Sequence, residues 1–275
     1  MRTLSKRTLS LVVLAFGFVA TPHAQAPDFD QARDETVALL QDLIRIDTSS
    51  PPGNETLAAT YVKSVLDAAE IPSRIIALDP SRANLVATLE GDGSKRPLLL
   101  MAHTDVVGVE PSDWSVDPFG GQIRNGYVYG RGASDDKGQL AAMMQVMRML
   151  QRRRVPLARD VILLAESGEE GTTEVGIDFV VDQHWDDIDA EYALNEGGRM
   201  SASAGTVQTV SIATTEKVPW RGIKLIARGV AGHGSAPRLD NAIVHLAAAV
   251  AKVGAYQPPM RLNETTRAYL ERLAR

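Results

Sequence analysis

The chain has 275 residues, and its 44% hydrophobic and 23% charged residues are ordinary for a globular protein. Its formal net charge of −5 argues against a nucleic-acid partner, because phosphate backbones bind basic surfaces. Cysteine is absent, which excludes disulfides. Any zinc would therefore be held by histidine and carboxylate side chains, as catalytic zinc usually is.

Residues 1–26 have the three parts of a secretory signal peptide: a basic start, an apolar run over 9–20, and small residues at Ala24 and Ala26. A membrane anchor is the alternative, but the apolar run is shorter than the roughly 20 residues of a bilayer span. We predict cleavage after Ala26 and a secreted or periplasmic protein with no membrane span once the signal is removed.

Helices and strands alternate along residues 27–215. Apolar spacings of three and four residues predict helices, and short apolar runs predict strands. In chain order, the predicted elements are a helix around 37–44, a helix at 55–69, strands at 74–78, 85–89 and 97–102, a long helix at 137–152, a strand at 160–166, a helix at 175–183 and a strand at 191–194. This alternation predicts an α/β sandwich with a mostly parallel sheet.

The sequence pattern changes near residue 215. Residues 221–227 alternate like a half-buried strand, and a helix is predicted at 241–253. We therefore expect residues 27–215 to form one domain and residues 216–275 to begin a second one. This second domain should be incomplete, because a single strand cannot form a sheet.

Polar residues of the kind that bind metals cluster at four places, each following an apolar run. Alone, each cluster has an ordinary explanation: a strand-end histidine, carboxylates capping a helix, or a solvated acidic turn. Together they predict one metal site, since ligands gather at the carboxyl ends of strands in α/β sheets. The clusters are His103 with Asp105, Asp135 with Asp136, Glu169 with Glu170, and Glu196.

These clusters resemble the motifs of the di-zinc metallopeptidase family that includes aminoacylase, glutamate carboxypeptidase, succinyl-diaminopimelate desuccinylase and carnosinase. The similarity extends over about residues 30–255. The matching stretches are 100–107, 129–138, 168–171, 195–198 and 232–237. The resemblance implies a zinc-peptidase-like three-layer sandwich, followed by the start of an α+β domain that serves as a lid or dimerisation domain.

The resemblance also implies the metal ligands. His103, Asp135 and Glu196 would bind one zinc, and Asp135 would bridge to a second zinc bound by Glu170. Asp105 would orient the site without binding metal. In the family, the peptide bond after the bridging aspartate is cis, so the bond between Asp135 and Asp136 is expected to be cis.

The resemblance implies metal-dependent hydrolysis of an amide bond in short peptides or N-acyl amino acids. Glu169 would be the general base that takes a proton from zinc-activated water. His233 would stabilise the oxyanion of the other subunit's site in a homodimer of the full-length protein. A serine hydrolase using Ser235 is disfavoured, because the spacing Gly-x-Ser-x-Gly is missing around it.

The ligand set expected from the family is incomplete. Family members supply a late histidine to the second zinc, and neither His184 nor His245 lies in a matching motif. We therefore expect a C-terminally truncated chain that binds at most about one zinc and has little activity. A catalytically inactive remnant that binds metal or a partner is the alternative to an enzyme.

Overall fold

The computed structural model describes residues 27–203, 206–211, 223–236, 238 and 240–274. The predicted signal peptide lies outside the described residues. The chain divides into two compact units, Met1–Glu196 and Gly197–Arg275. The domain limits inferred from the sequence, 27–215 and 216–275, stay a prediction.

The helices and strands follow one another along the chain much as predicted. The α-helices are α1 (Phe29–Arg45), α2 (Glu55–Ala68), α3 (Lys137–Arg152), α4 (Ile177–Gln183), α5 (Trp185–Ile188), α6 (Ala242–Ala255) and α7 (Glu264–Leu273). The strands are β1 (Ser49–Ser50), β2 (Ser73–Ile76), β3 (Asn84–Leu89), β4 (Leu98–His103), β5 (Val106–Val107), β6 (Gln122–Arg124), β7 (Tyr127–Tyr129), β8 (Val161–Glu166), β9 (Tyr192–Leu194), β10 (Arg199–Ser203) and β11 (Thr206–Ser211). Short 3-10 turns lie at Pro111–Asp113 and Thr173–Val175.

A five-stranded sheet in the order β2-β3-β8-β4-β9 forms the centre of the first unit. Strands β8, β4 and β9 are parallel, β3 is antiparallel to β8, and β2 is antiparallel to β3. Four of the five strands therefore run in one direction, which confirms the predicted α/β fold with a mostly parallel sheet. Every residue of the central strand β8 is buried, as expected of a strand covered on both faces.

Helices cover both faces of this sheet. On one face, α1, α2 and α3 pack against a core that includes Leu163 of β8. On the other face, Phe179 and Val180 of α4 and Ile188 of α5 pack with Leu164. Consecutive residues of β8 thus enter different cores, because side chains alternate across a strand. The three-layer arrangement is therefore confirmed.

The described part of the second unit contains an antiparallel hairpin and two helices. Strands β10 and β11 pair with each other, and Asn241 caps α6 by accepting the N–H of Ile243 at 2.8 Å. The predicted strand at 221–227 is wrong for the described residues 223–227, which have no regular structure. Alternating hydrophobicity suits a strand, but a strand forms only with a hydrogen-bonded neighbour.

No helix in the described part of the chain combines the length and apolar character that crossing a bilayer requires.

Because β8 is buried on both faces, a cavity beside it should markedly lower the free energy of unfolding. Leu163 has no exposed surface, and replacing it with alanine should lower the free energy of unfolding by about 2–5 kcal/mol. The matched control is Val146→Ala on α3, where the side chain is 48% exposed and the loss should stay below about 0.5 kcal/mol. Denaturant unfolding measures both variants. Equal losses would contradict this description of the core.

Candidate metal centre

The candidate centre lies where β4 and β8 end beside each other. His103, the last residue of β4, is paired in register with Glu166, the last residue of β8. Thr104 ties the two strand ends together, since its N–H and its hydroxyl both donate to the Glu166 carbonyl oxygen at 2.8 Å. The chain segments that leave these strands therefore start at the same edge of the sheet, as predicted for ligand-binding residues.

His103 is almost completely buried, and both ring nitrogens have oxygen neighbours. Its Nδ1 lies 3.0 Å from the carbonyl oxygen of Asp105, and its Nε2 lies 2.9 Å from Oδ1 of Asp135. In the neutral imidazole, an Nδ1–H donated to this carbonyl leaves the lone pair on Nε2. Nε2 is therefore the nitrogen directed toward the carboxylates.

The side chain of Asp105 is fully buried and holds a different part of the site. Its Oδ1 accepts the backbone N–H of Glu169 at 3.1 Å, and its Oδ2 accepts that of Glu170 at 3.0 Å. Burial by itself would raise the pKa of Asp105, but hydrogen bonds from His103 and these N–H groups hold the pKa below its usual value. The contact with the two glutamates could not be seen in the sequence, because it joins residues 64 and 65 positions apart.

Two buried cations lie near enough to stabilise the Asp105 charge. Arg82 forms a buried ion pair with Glu55, with 2.8 Å between Nε and Oε2. The ammonium of Lys137, also buried, donates to the carbonyl oxygen of Ile46 at 2.7 Å. Burial lowers the pKa of Lys137 to about 8, against the opposing influence of nearby carboxylates that include Asp105.

The four predicted ligands come together with one further carboxylate, that of Asp136. Two groups of side chains have potential ligand atoms within 4.8 Å of one another: His103 with Asp135 and Glu170, and His103 with Asp136 and Glu196. Sequence reasoning grouped Glu196 with Asp135 and took only the first of the adjacent aspartates. The peptide bond between Asp135 and Asp136 is cis, as expected.

Burial and like charge raise the pKa of several carboxyl groups here. Burial, with a contribution from Glu196, raises the pKa of Asp136 to about 7. Glu166 is 4% exposed. Burial, with the charges of Glu169 and Asp105, raises its pKa to about 7. For Glu170 the direction is also upward, and burial is again the main cause. Such shifts arise when carboxyl groups are buried and lie close to one another.

Glu166 is a member of this site that sequence reasoning did not select. Its Oε2 is buried and has no hydrogen-bond partner among the residues that the structure describes. An available signal was its place at the end of an apolar strand, like that of His103. Imidazole nitrogen and carboxylate oxygen are ligands that zinc accepts. These donors and the unpaired buried oxygen together fit a divalent cation.

The remaining predicted site residue, His233, belongs to the second unit. It is exposed on a turn, where its Nδ1 lies 2.8 Å from the hydroxyl oxygen of Ser235. Its role toward another subunit stays a prediction.

Residues 99–274 match the peptidase family M20/M25/M40. The chain belongs to this family, and the resemblance noted from its motifs is confirmed. It is 30% identical over 217 residues to a probable succinyl-diaminopimelate desuccinylase of Staphylococcus epidermidis, covering 78% of this chain and 49% of the relative. The N-fatty-acyl-amino acid synthase/hydrolase PM20D1 of Xenopus tropicalis is 32% identical over 168 residues, or 59% of this chain and 32% of the relative.

Among solved structures, the M20 family metallo-carboxypeptidase Sso-CP2 of Sulfolobus solfataricus is similar, with a TM-score of 0.53 and 26% identity. The similarity covers 60% of this chain and 37% of that protein. The chain spans about half the length of the first curated relative, and less of the other two proteins.

The surroundings of His103 predict that metal binding releases a proton. Burial lowers its pKa, but Asp105 and Asp135 outweigh burial and raise it to about 10. In the folded protein, His103 therefore keeps its proton up to about pH 10. In the unfolded chain, it would lose this proton near pH 6.5. A metal must displace that proton, so metal affinity should rise with pH across this range.

Calorimetric titration of zinc at pH 8, in buffers of different ionisation enthalpy, should therefore show about one proton released per metal. A His184→Ala variant, changed outside the site, should behave like the wild type. Metal binding with no proton release would contradict the described environment of His103.

Proposed function

We propose that this protein hydrolyses amide bonds in short peptides or N-acyl amino acids, using divalent metal ions of which zinc is the expected one. The observation that carries the proposal is the convergence of His103 with four carboxylates on two ligand groups. Membership of the M20/M25/M40 peptidase family supports it. So do the names of two relatives, a probable desuccinylase and a fatty-acyl-amino acid synthase/hydrolase.

The residues that would hold metal are His103 with Asp135 and Glu170 in one group, and His103 with Asp136 and Glu196 in the other. A bound divalent cation supplies a Lewis acid that polarises a carbonyl group and makes water nucleophilic near neutral pH. Asp105 would keep the imidazole and the two glutamates oriented, through its carbonyl oxygen and its carboxylate respectively.

Glu169 is the proposed general base. Its backbone N–H is held by Asp105, and its carboxylate is carried on the same turn as that of Glu170. Glu169 would take a proton from water as the water oxygen adds to the amide carbon. The same carboxyl would give that proton to the nitrogen as the carbon–nitrogen bond breaks, so that the products are a carboxylate and an amine.

The proposal for the whole protein also includes a homodimer and an export signal. His233 would stabilise the oxyanion of a second copy's site, which requires a homodimer. Residues 1–26 would direct export to the periplasm or the medium. An inactive remnant is not favoured, because the matched motifs contain the proposed ligands and the proposed base Glu169, although the late histidine expected for the second zinc is not among them.

Glutamate-to-glutamine variants separate the roles of the adjacent glutamates. Glu169→Gln should lower kcat by about 10²–10⁴-fold while zinc affinity stays unchanged, because only proton transfer is lost. Glu170→Gln should weaken zinc binding. Glu174→Gln, an exposed residue of the same loop, is the matched control and should change neither property.

Amine release from a panel of dipeptides and N-acyl amino acids would measure the activity of the zinc-loaded protein, with and without a chelator. Activity that survives complete metal removal, or a Glu169→Gln variant as active as Glu174→Gln, would overturn the proposal.

The shared histidine limits the metal content of this chain. Both ligand groups use His103, and the single lone pair of Nε2 binds one metal ion. Elemental analysis after dialysis should therefore find about one tightly bound zinc per chain. His103→Ala should abolish that binding. Two zinc ions that both resist dialysis would contradict the expectation.

A further inference from the structure

Glu169 and Glu170 lie on a loop, residues 167–176, whose two ends are in contact. The loop starts directly after β8 and ends at the beginning of α4. A side chain at Gly176 would collide with the carbonyl oxygen of Ser167, so the ends approach as closely as glycine permits. Gly168, with φ of +77°, makes the turn immediately before the two glutamates.

The buried side chain of Asn84 joins the two ends of this loop, which the Ser167 hydroxyl also links by donating to the Val175 carbonyl oxygen at 3.3 Å. The Nδ2 of Asn84 donates to the carbonyl oxygen of Val175 at 2.8 Å, and its Oδ1 accepts the N–H of Ser167 at 2.9 Å. Asn84 and Ser167 have no exposed surface. The bond between Ser167 and Asn84 is buried, so water cannot readily replace it if it is lost.

The position of Asn84 follows from the sheet. It is the first residue of β3, and its neighbour Leu85 pairs with Ala165 of β8. The antiparallel register thus brings Asn84 beside Ser167, just past the end of β8. The position requires a donor and an acceptor on one short side chain, and asparagine provides both. An aspartate would keep the acceptor and lose the donor.

The middle of the loop is held independently by Asp105, which accepts the N–H groups of Glu169 and Glu170. Opening the ends of the loop would move these N–H groups relative to Asp105. Closure by Asn84 and the contacts of Asp105 together determine where the two glutamate side chains lie relative to His103.

We propose that Asn84 is a positioning residue for Glu169 and Glu170. It closes their loop from β3, which lies on the other side of β8 from β4. The proposal rests on the proposed function, since it concerns the base and a metal ligand of that site. Asn84 itself touches neither metal nor substrate in this scheme. Its effect on the site is transmitted through the backbone of residues 167–176.

Two variants of the full chain open the loop in different ways. Asn84→Asp removes the bond to the Val175 carbonyl and keeps the acceptor for Ser167. Gly176→Ala forces the ends apart without changing Asn84. The matched control is Val62→Ala, a fully buried residue of α2 in the core on the other side of the sheet from α4. It loses stability without touching the loop.

Hydrogen exchange of residues 167–176 and zinc affinity by calorimetry are measured for all four proteins. Both loop variants should speed amide exchange in the loop by about tenfold or more, with β8 unaffected, and weaken zinc binding by about 10–100-fold. Val62→Ala, compared at equal loss of unfolding temperature, should change neither property.

Unchanged loop exchange in Asn84→Asp would overturn the proposal, and so would faster exchange with unchanged zinc affinity, which would leave Asn84 a purely structural residue. Failure of the wild-type chain itself to bind zinc is a separate result, which would overturn the proposed function and with it the role of Asn84.

Discussion

The position of the Asp105 side chain is the constraint on which the candidate centre depends. One buried residue contacts His103 through its carbonyl oxygen and the backbone of Glu169 and Glu170 through its carboxylate. The imidazole comes from the end of β4 and the glutamates from the loop after β8, so Asp105 joins two strands at the edge of the sheet. A change in its position would move a proposed ligand and the proposed base together.

This arrangement has an electrostatic cost that a metal ion would offset. Carboxylates gathered around one imidazole repel one another, and burial penalises their charged forms. The upward shifts in the pKa values of Asp136 and Glu166 are the result. The ammonium of Lys137 and the guanidinium of Arg82 balance part of the negative charge on Asp105. A divalent ion would reduce this cost for the carboxylates grouped with His103.

The loop that carries the glutamates illustrates how a parallel sheet prepares such a site. Strands supply the fixed starting points, and two buried polar side chains fix the backbone beyond them: Asn84, at the start of β3, and Asp105, just after β4. These side chains are themselves buried, so their bonds favour one defined conformation of the loop. Precision in the positions of Glu169 and Glu170 is what metal binding and proton transfer both require.

The sequence by itself determined the order and type of most elements of the first unit. Long apolar patterns such as 137–152 predicted α3 with the bounds that the structure has, because an amphipathic period of 3.6 residues is a local property. It also determined the family, since five motifs in one order are visible without coordinates. The strand at 221–227 was predicted wrongly for its described residues, because pairing depends on a neighbour that local alternation does not reveal.

The tertiary structure alone decided which side chains lie close enough to form a hydrogen bond or to share a metal ion. Asp136 is grouped with Glu196, and Asn84 contacts Val175, although the residues of each pair are far apart in sequence. Among the described residues, only the structure shows that Oε2 of Glu166 has no hydrogen-bond partner. Residue types and spacings fix what a side chain offers as donor, acceptor or ligand. The register between β3, β8 and β4 decides what it meets, because only that register brings distant residues within hydrogen-bond distance.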